Sequence, residues 1–132
     1  MENAGRPARL PAEHTETAYS TSRAMDFIAQ ADGPWCLHLS YIKPHWPYIA
    51  PAPYHAMYGP SDVVAPVRSE AERADPHPIF GAYQDLRFSK AFSRGEVRAR
   101  VIPAYMGLIA RLMTRSGGSW PGWMPKDIPR TH

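Results

Sequence analysis

The sequence has almost no cysteine, no long apolar run and no concentration of charge of one sign. A single cysteine, Cys36, among 132 residues excludes an internal disulfide framework and a thiolate metal cluster. No apolar run approaches the roughly 20 residues that cross a bilayer. The opening residues, MENAGRPARLPAEH, hold no hydrophobic segment of the secretory kind, so the expectation is a cytoplasmic protein with no membrane association. The formal net charge is only +3. The arginines (Arg6, Arg9, Arg23, Arg68, Arg73, Arg87, Arg94, Arg98, Arg100) are scattered rather than clustered among aromatics, which argues against a nucleic-acid partner. There is no P-loop, no GxGxxG, no G-x-S-x-G, and no histidine pair at HExxH or HxH spacing.

Proline is what the sequence has in excess: fifteen residues, roughly twice the usual share. Most fall outside any helical or strand pattern, so much of the chain must run as loop against a larger body. At this length the chain is at most one domain. Its most informative stretch is Gly33 to Pro51, GPWCLHLSYIKPHWPYIAP. Trp35, Leu37, Leu39 and Tyr41 alternate with smaller or polar residues, the period-2 pattern of a strand. Gly33-Pro34 opens the run and Lys43-Pro44 closes it, because proline donates no backbone hydrogen bond and restricts its predecessor. A strand entering a stiff loop is where open α/β sheets bind ligands.

Before this run, Thr15 is placed to cap a helix with Glu16 in its first turn. Ala18, Ala24, Met25 and Ile28 share one stripe, and Ala31-Asp32-Gly33-Pro34 ends it. After the run, Pro51 to Val67 reads mainly as loop, and Ser69 to Ala91 as a long polar excursion broken by Pro76 and Pro78. A second helix is expected from Ser93, with Ser93 and Glu96 as a capping box. Val97, Val101, Ala104, Tyr105, Leu108 and Leu112 follow at helical spacing, with Pro103 inside the helix expected to kink it. Gly107 weakens a helix unless another backbone approaches there. From Thr114 the periodicity ends.

Among candidate chemical groups, His45 stands first. On a proline-stiffened loop it can contact an anionic ester or protonate a leaving oxygen near neutral pH. A histidine so placed can equally hold a structural hydrogen bond, and spacing does not choose between the two. Lys43 can steady an anion or simply lie exposed. Trp46 and Tyr48 form the wall beside them. Cys36 reads as a small buried hydrophobe and His38 as a buried, hydrogen-bonded histidine. The acidic residues are isolated from one another, so no paired carboxylates and no metal set are expected.

The stretch LSYIKPHWPYIAPAPYHAMY resembles the sulfatase family of the alkaline phosphatase superfamily, whose members carry a strand, then PH-x-P, then P-x-x-Y. The KPHWP form, Lys43 to Pro47, and AYMGLI at 104 to 109 look most like the phosphonate monoester hydrolase branch. The resemblance covers roughly residues 8 to 111. It implies an α/β fold: a middle fragment of a three-layer sandwich with a helix, a central-type strand, long loops, a second helix and an incomplete sheet. It implies that His45 contacts the ester and assists the leaving group, with Lys43, Trp46 and Tyr48 as substrate-binding neighbours. The family's nucleophile, a formylglycine from a C-x-P-x-R or S-x-P-x-R motif, and its divalent metal ligands have no counterpart in this chain. Cys36 is followed by Leu37-His38-Leu39-Ser40 and does not fit the motif. The implied substrate of a full-length parent is a small sulfate, phosphate or phosphonate ester, and this chain alone is expected to be inactive.

Two other readings stand beside this one: a non-catalytic interaction protein using its proline- and aromatic-rich loops, and a pseudogene product. The division expected is a partial sulfatase-like domain over 1–111 and an irregular tail over 112–132. Read with a two-nucleotide shift from Arg111, permissible codons can encode the Asp-Asp-bearing helix that the family continues with. Leu112 to His132 is therefore expected to be an out-of-frame product.

Overall fold

The computed structural model describes residues 2–118. Two long helices make its body: α1, Glu16–Gln30, and α5, Gly95–Gly118. Between them come the extended run and loops of 31–70 and three short helices: α2, Ala71–Ala74, α3, Pro78–Asp85, and α4, Arg87–Ser93. Single 3-10 turns sit at Ala12–His14, Tyr54–Ala56 and Pro60–Asp62.

No strand is present among the described residues, which overturns the expected α/β architecture with its central-type strand. The run Trp35 to Tyr41 does keep a period-2 burial pattern. Leu37, Leu39 and Tyr41 are half-buried, while Cys36, His38 and Ser40 between them are exposed. Tyr41 Oη lies 2.7 Å from Thr21 Oγ1 of α1, and Thr21 is fully buried. Phe27 of α1 meets the ring of Trp35 edge-on at 6.0 Å. Alternation alone does not make a strand, because a ladder needs a second extended segment alongside. Among the described residues, the backbone groups of Cys36 to Tyr41 form no hydrogen bond. The same lack of a covering layer leaves Cys36 and His38 exposed rather than buried.

The helices follow the pattern with local corrections. Thr15 stands at the start of α1, but its hydroxyl donates to the Ala12 carbonyl at 2.7 Å instead of capping a helix N–H. Ala18, Thr21 and Ala24 are buried on one stripe of α1. The capping box at Ser93 does not form. Ser93 ends α4, its hydroxyl donating to the Lys90 carbonyl at 2.7 Å, and α5 begins at Gly95. Along α5 the buried stripe runs Val97, Val101, Ala104, Leu108, Arg111. Ala4, Val97, Val101 and Ala104 form the core cluster, with Tyr48 and Phe92 packed against it. Gly107 is where the 3-10 turn at Tyr54 crosses α5: a Cβ there would collide with the Tyr54 carbonyl. The backbone approach that would justify a mid-helix glycine is therefore present.

The excursion expected as loop over Ser69 to Ala91 is largely helical instead. Pro78 opens α3, where its missing N–H costs nothing, and His77 Nδ1 accepts from the Ile79 N–H at 3.3 Å. Helix α5 continues past Leu112 to Gly118. The rest of the expected irregular tail, 119–132, lies outside the described residues. Among the described residues, no helix is long and apolar enough to cross a membrane.

Candidate functional site

The residues from Lys43 to Tyr48 form a tight turn, with the His45 N–H donating to the Ile42 carbonyl at 3.0 Å. The Lys43–Pro44 and Trp46–Pro47 peptides are both cis. The loop is tied to itself through Lys43, whose ammonium donates to the Pro47 carbonyl at 2.7 Å and to the His45 carbonyl at 3.3 Å. Desolvation lowers the Lys43 pKa from its ordinary value, and the nearby Glu16 carboxylate offsets this in part. Loop carbonyls are well matched partners for an ammonium, which has donors only.

His45 is exposed at the crest of this turn. Its Nδ1 is 2.9 Å from the Trp46 carbonyl oxygen. A carbonyl can only accept, so Nδ1 carries the hydrogen and Nε2 is the nitrogen left to a ligand. Neutral, Nε2 offers a lone pair; protonated, it donates to an anionic oxygen. The ring of Trp46 lies 5.6 Å from that of His45, tilted by 37°, and Trp46 is 65% exposed.

Tyr48 faces the other way. It packs edge-on against Phe92 at 6.2 Å and Tyr105 at 6.1 Å, on the core side of the loop. The four residues singled out in the sequence thus divide. His45 and Trp46 stand outward together, Lys43 binds the loop's own carbonyls, and Tyr48 anchors the loop to α5. Further along, the Ala8 N–H donates to the Ala50 carbonyl at 2.9 Å, so the N-terminal arm holds the end of the same segment.

Sequence reasoning missed Arg111, which is 6% exposed. Its guanidinium donates to the Ala12 carbonyl at 2.7 Å and lies over the Tyr54 ring at 5.6 Å from the centroid. One turn on, Arg115 donates to Ser22 Oγ at 2.6 Å. The two arginines fasten α5 to α1 and to the 3-10 turns on either side. Their signal was in the spacing, since residues 104, 108, 111 and 115 lie on one helical stripe.

Among the described residues, no three His, Cys, Asp or Glu side chains assemble where a metal ion could bind. The divalent metal implied by the resemblance therefore has no fitting donor set here, and Cys36 lies in the exposed face of the run, away from any formylglycine motif.

No family model matches the chain. It is 36% identical over 121 residues to the multifunctional alkaline phosphatase superfamily protein PehA of Trinickia caryophylli, a match over 81% of this chain and 23% of that protein. Its fold superposes on the crystal structure of the phosphonate monoester hydrolase of Agrobacterium radiobacter with a TM-score of 0.78 and 27% identity, covering 88% of this chain and 25% of that one. The phosphonate monoester hydrolase SpPMH of Silicibacter pomeroyi gives a TM-score of 0.70 and 31% identity, covering 89% and 25%. The chain is a relative of alkaline phosphatase superfamily proteins, carries a fold found within phosphonate monoester hydrolases, and spans about a quarter of their length.

Proposed function

We propose that this chain forms one wall of an ester-hydrolase site of the alkaline phosphatase superfamily type, with His45 as its ester-facing residue. The observation that carries the reading is the hydrogen bond from His45 Nδ1 to the Trp46 carbonyl. It fixes the tautomer and turns Nε2 outward, the arrangement needed to bind an anionic ester oxygen or to hand a proton to a leaving oxygen. Lys43 contributes by holding the carbonyls of His45 and Pro47 in one turn. The ring of Trp46 lies beside the imidazole, 5.6 Å away.

The remaining chemistry of such a site is supplied by a nucleophile and a divalent metal. The described residues offer neither the family's C-x-P-x-R or S-x-P-x-R motif nor three grouped metal-ligating side chains, so the roles proposed for this chain are binding, orientation and proton placement. Loss of one component from a cooperating catalytic set commonly costs several orders of magnitude in rate. The 132-residue chain by itself is therefore expected to show no turnover of 4-nitrophenyl sulfate or of a phenylphosphonate ester. Turnover abolished by His45→Ala would contradict that part of the reading. The binding role is tested separately by histidine-selective NMR during titration with inorganic phosphate. A saturable shift of the His45 ring nitrogens, absent in His45→Ala, is expected; a His45 signal indifferent to phosphate would overturn the proposal.

A further inference from the structure

The run Trp35 to Tyr41 is extended, and its odd-numbered face is fixed to α1 by the Tyr41–Thr21 hydrogen bond and the Phe27–Trp35 ring contact. Its other face, Cys36, His38 and Ser40, is exposed. The backbone N–H and C=O groups from Cys36 to Tyr41 form no hydrogen bond among the described residues. A row of unpaired backbone groups on an extended segment is a template for pairing with another chain. No strand is present among the described residues, so they supply no partner for the run.

The residues of the run say which strand fits it. About His38 they read alike in both directions: Trp35 mirrors Tyr41, Cys36 mirrors Ser40 and Leu37 mirrors Leu39. Laid antiparallel on a second copy with the two His38 residues opposed, each side chain meets one of its own class. Opposed residues share a face, so the aromatic and leucine pairs of both copies stay on the side that meets α1, and matched cross-strand pairs are what stabilise a ladder. Charge agrees with this direction. No Asp, Glu, Lys or Arg lies between Asp32 and Lys43. Antiparallel pairing brings Asp32 of one copy to the end where the other carries Lys43, while parallel pairing sets like charge against like. Pro34 and Pro44 bracket the run and donate nothing to a ladder, so the pairing cannot lengthen beyond it.

We propose that residues 35–41 of two copies of this chain pair antiparallel about His38 and form a two-fold dimer. The same patch serves both copies, so the contact closes on itself and builds no filament. The pairing is independent of the reading of His45. A stable interface takes about 20–30 residues from each partner, against the seven from Trp35 to Tyr41, so this dimer exchanges reversibly with monomer.

The test is sedimentation velocity of the full chain over a dilution series, with far-UV circular dichroism to check that each variant folds. The mass should move from monomer to dimer as concentration rises. His38 is exposed, and His38→Lys and His38→Glu each set like charges across the two-fold, so each alone should weaken the dimer at least tenfold. Mixed in equal amounts, the two variants should pair again. A second measurement uses oxidised glutathione as the oxidant. Opposed Cα atoms lie about 4.5–5.5 Å apart, within disulfide reach, so His38→Cys in a Cys36→Ser background should form a covalent dimer. Cys36 of the unaltered chain opposes Ser40, which leaves the two Cys36 residues about 13 Å apart, so it should cross-link at least tenfold more slowly. Dimerisation equal in the two charge variants and the unaltered chain, a mixture that does not recover, or cross-linking through Cys36 as fast as at position 38 would overturn the proposal. A chain monomeric at every concentration would leave the run to a different polypeptide and overturn it as well.

Discussion

The two halves of the molecule bury very different things. Where α5 meets α1 and the 3-10 turn at Tyr54, the buried residues are mostly small or slim (Ala18, Thr21, Ala24, Ala104 and Leu108), with Arg111 a large exception and Gly107 letting the backbones touch. Helices α2, α3 and α4 bury no residue at all, yet α3 and α4 carry Ile79, Phe80, Tyr83 and Phe88, all exposed. The first region spends small side chains on close packing of backbone. The second leaves large apolar side chains exposed. Close packing and exposed apolar surface thus fall in separate segments, and the 43–48 loop is anchored toward α5 and α4 by Tyr48, which meets Tyr105 and Phe92.

That contrast is broken most sharply by matched truncations. Leu108→Ala removes a side chain that is 3% exposed and should destabilise by about 3 kcal/mol, through lost transfer energy plus the cavity left behind. Phe88→Ala removes a larger side chain at an exposed position and should change stability by less than about 0.5 kcal/mol. Urea unfolding of the two variants checks this, and a Phe88→Ala variant as unstable as Leu108→Ala would mean that α4 belongs to the packed body. An intermediate effect is expected at Arg111→Met. The stem's packing is kept, but the charged hydrogen bond to the Ala12 carbonyl and the contact with Tyr54 are lost, a cost of about 2 kcal/mol. Amide exchange should quicken in the 3-10 turns at Ala12–His14 and Tyr54–Ala56 ahead of the rest of the chain.

The same division explains what could be read in the sequence. Helix α1 and the stripe of α5 were legible because they bury one face at a local period, and Gly107 was legible as a weak point in the helix unless another backbone approached it. The short helices α3 and α4 were hidden by Pro76 and Pro78, read as breakers, although Pro78 occupies the one helical turn that tolerates proline. The serine of the apparent capping box was taken by the end of α4. The run from Trp35 to Tyr41 shows the limit of periodicity: its alternation correctly gives the face that meets α1, but pairing depends on another segment, which no local pattern contains. At the candidate site, the outward-standing pair His45 and Trp46 was singled out in KPHWP. Lys43 was also visible, yet its orientation toward the carbonyls of His45 and Pro47 depends on the loop closing back on itself. Arg111 was passed over because a helical arginine ordinarily reads as solvated charge.

Lys43 also allows the smallest effect to be read. Its folded pKa lies below the ordinary 10.5, with desolvation as the chief cause. Between the lowered value and 10.5 the unfolded chain binds more protons than the folded one, so stability must rise with pH across that window. Below the window the ammonium is charged in both states, and its desolvation weighs against folding. Lys43→Met should therefore flatten the stability profile on the alkaline side while leaving its acid limb alone. The same substitution removes the donors to the Pro47 and His45 carbonyls, so the loop should loosen while the body does not. Amide exchange resolved by residue separates the two consequences: faster exchange at His45 and Ile49 with α1 and α5 unchanged is expected. Unchanged exchange across the loop would show that the prolines and Tyr48 hold His45 in place without the lysine.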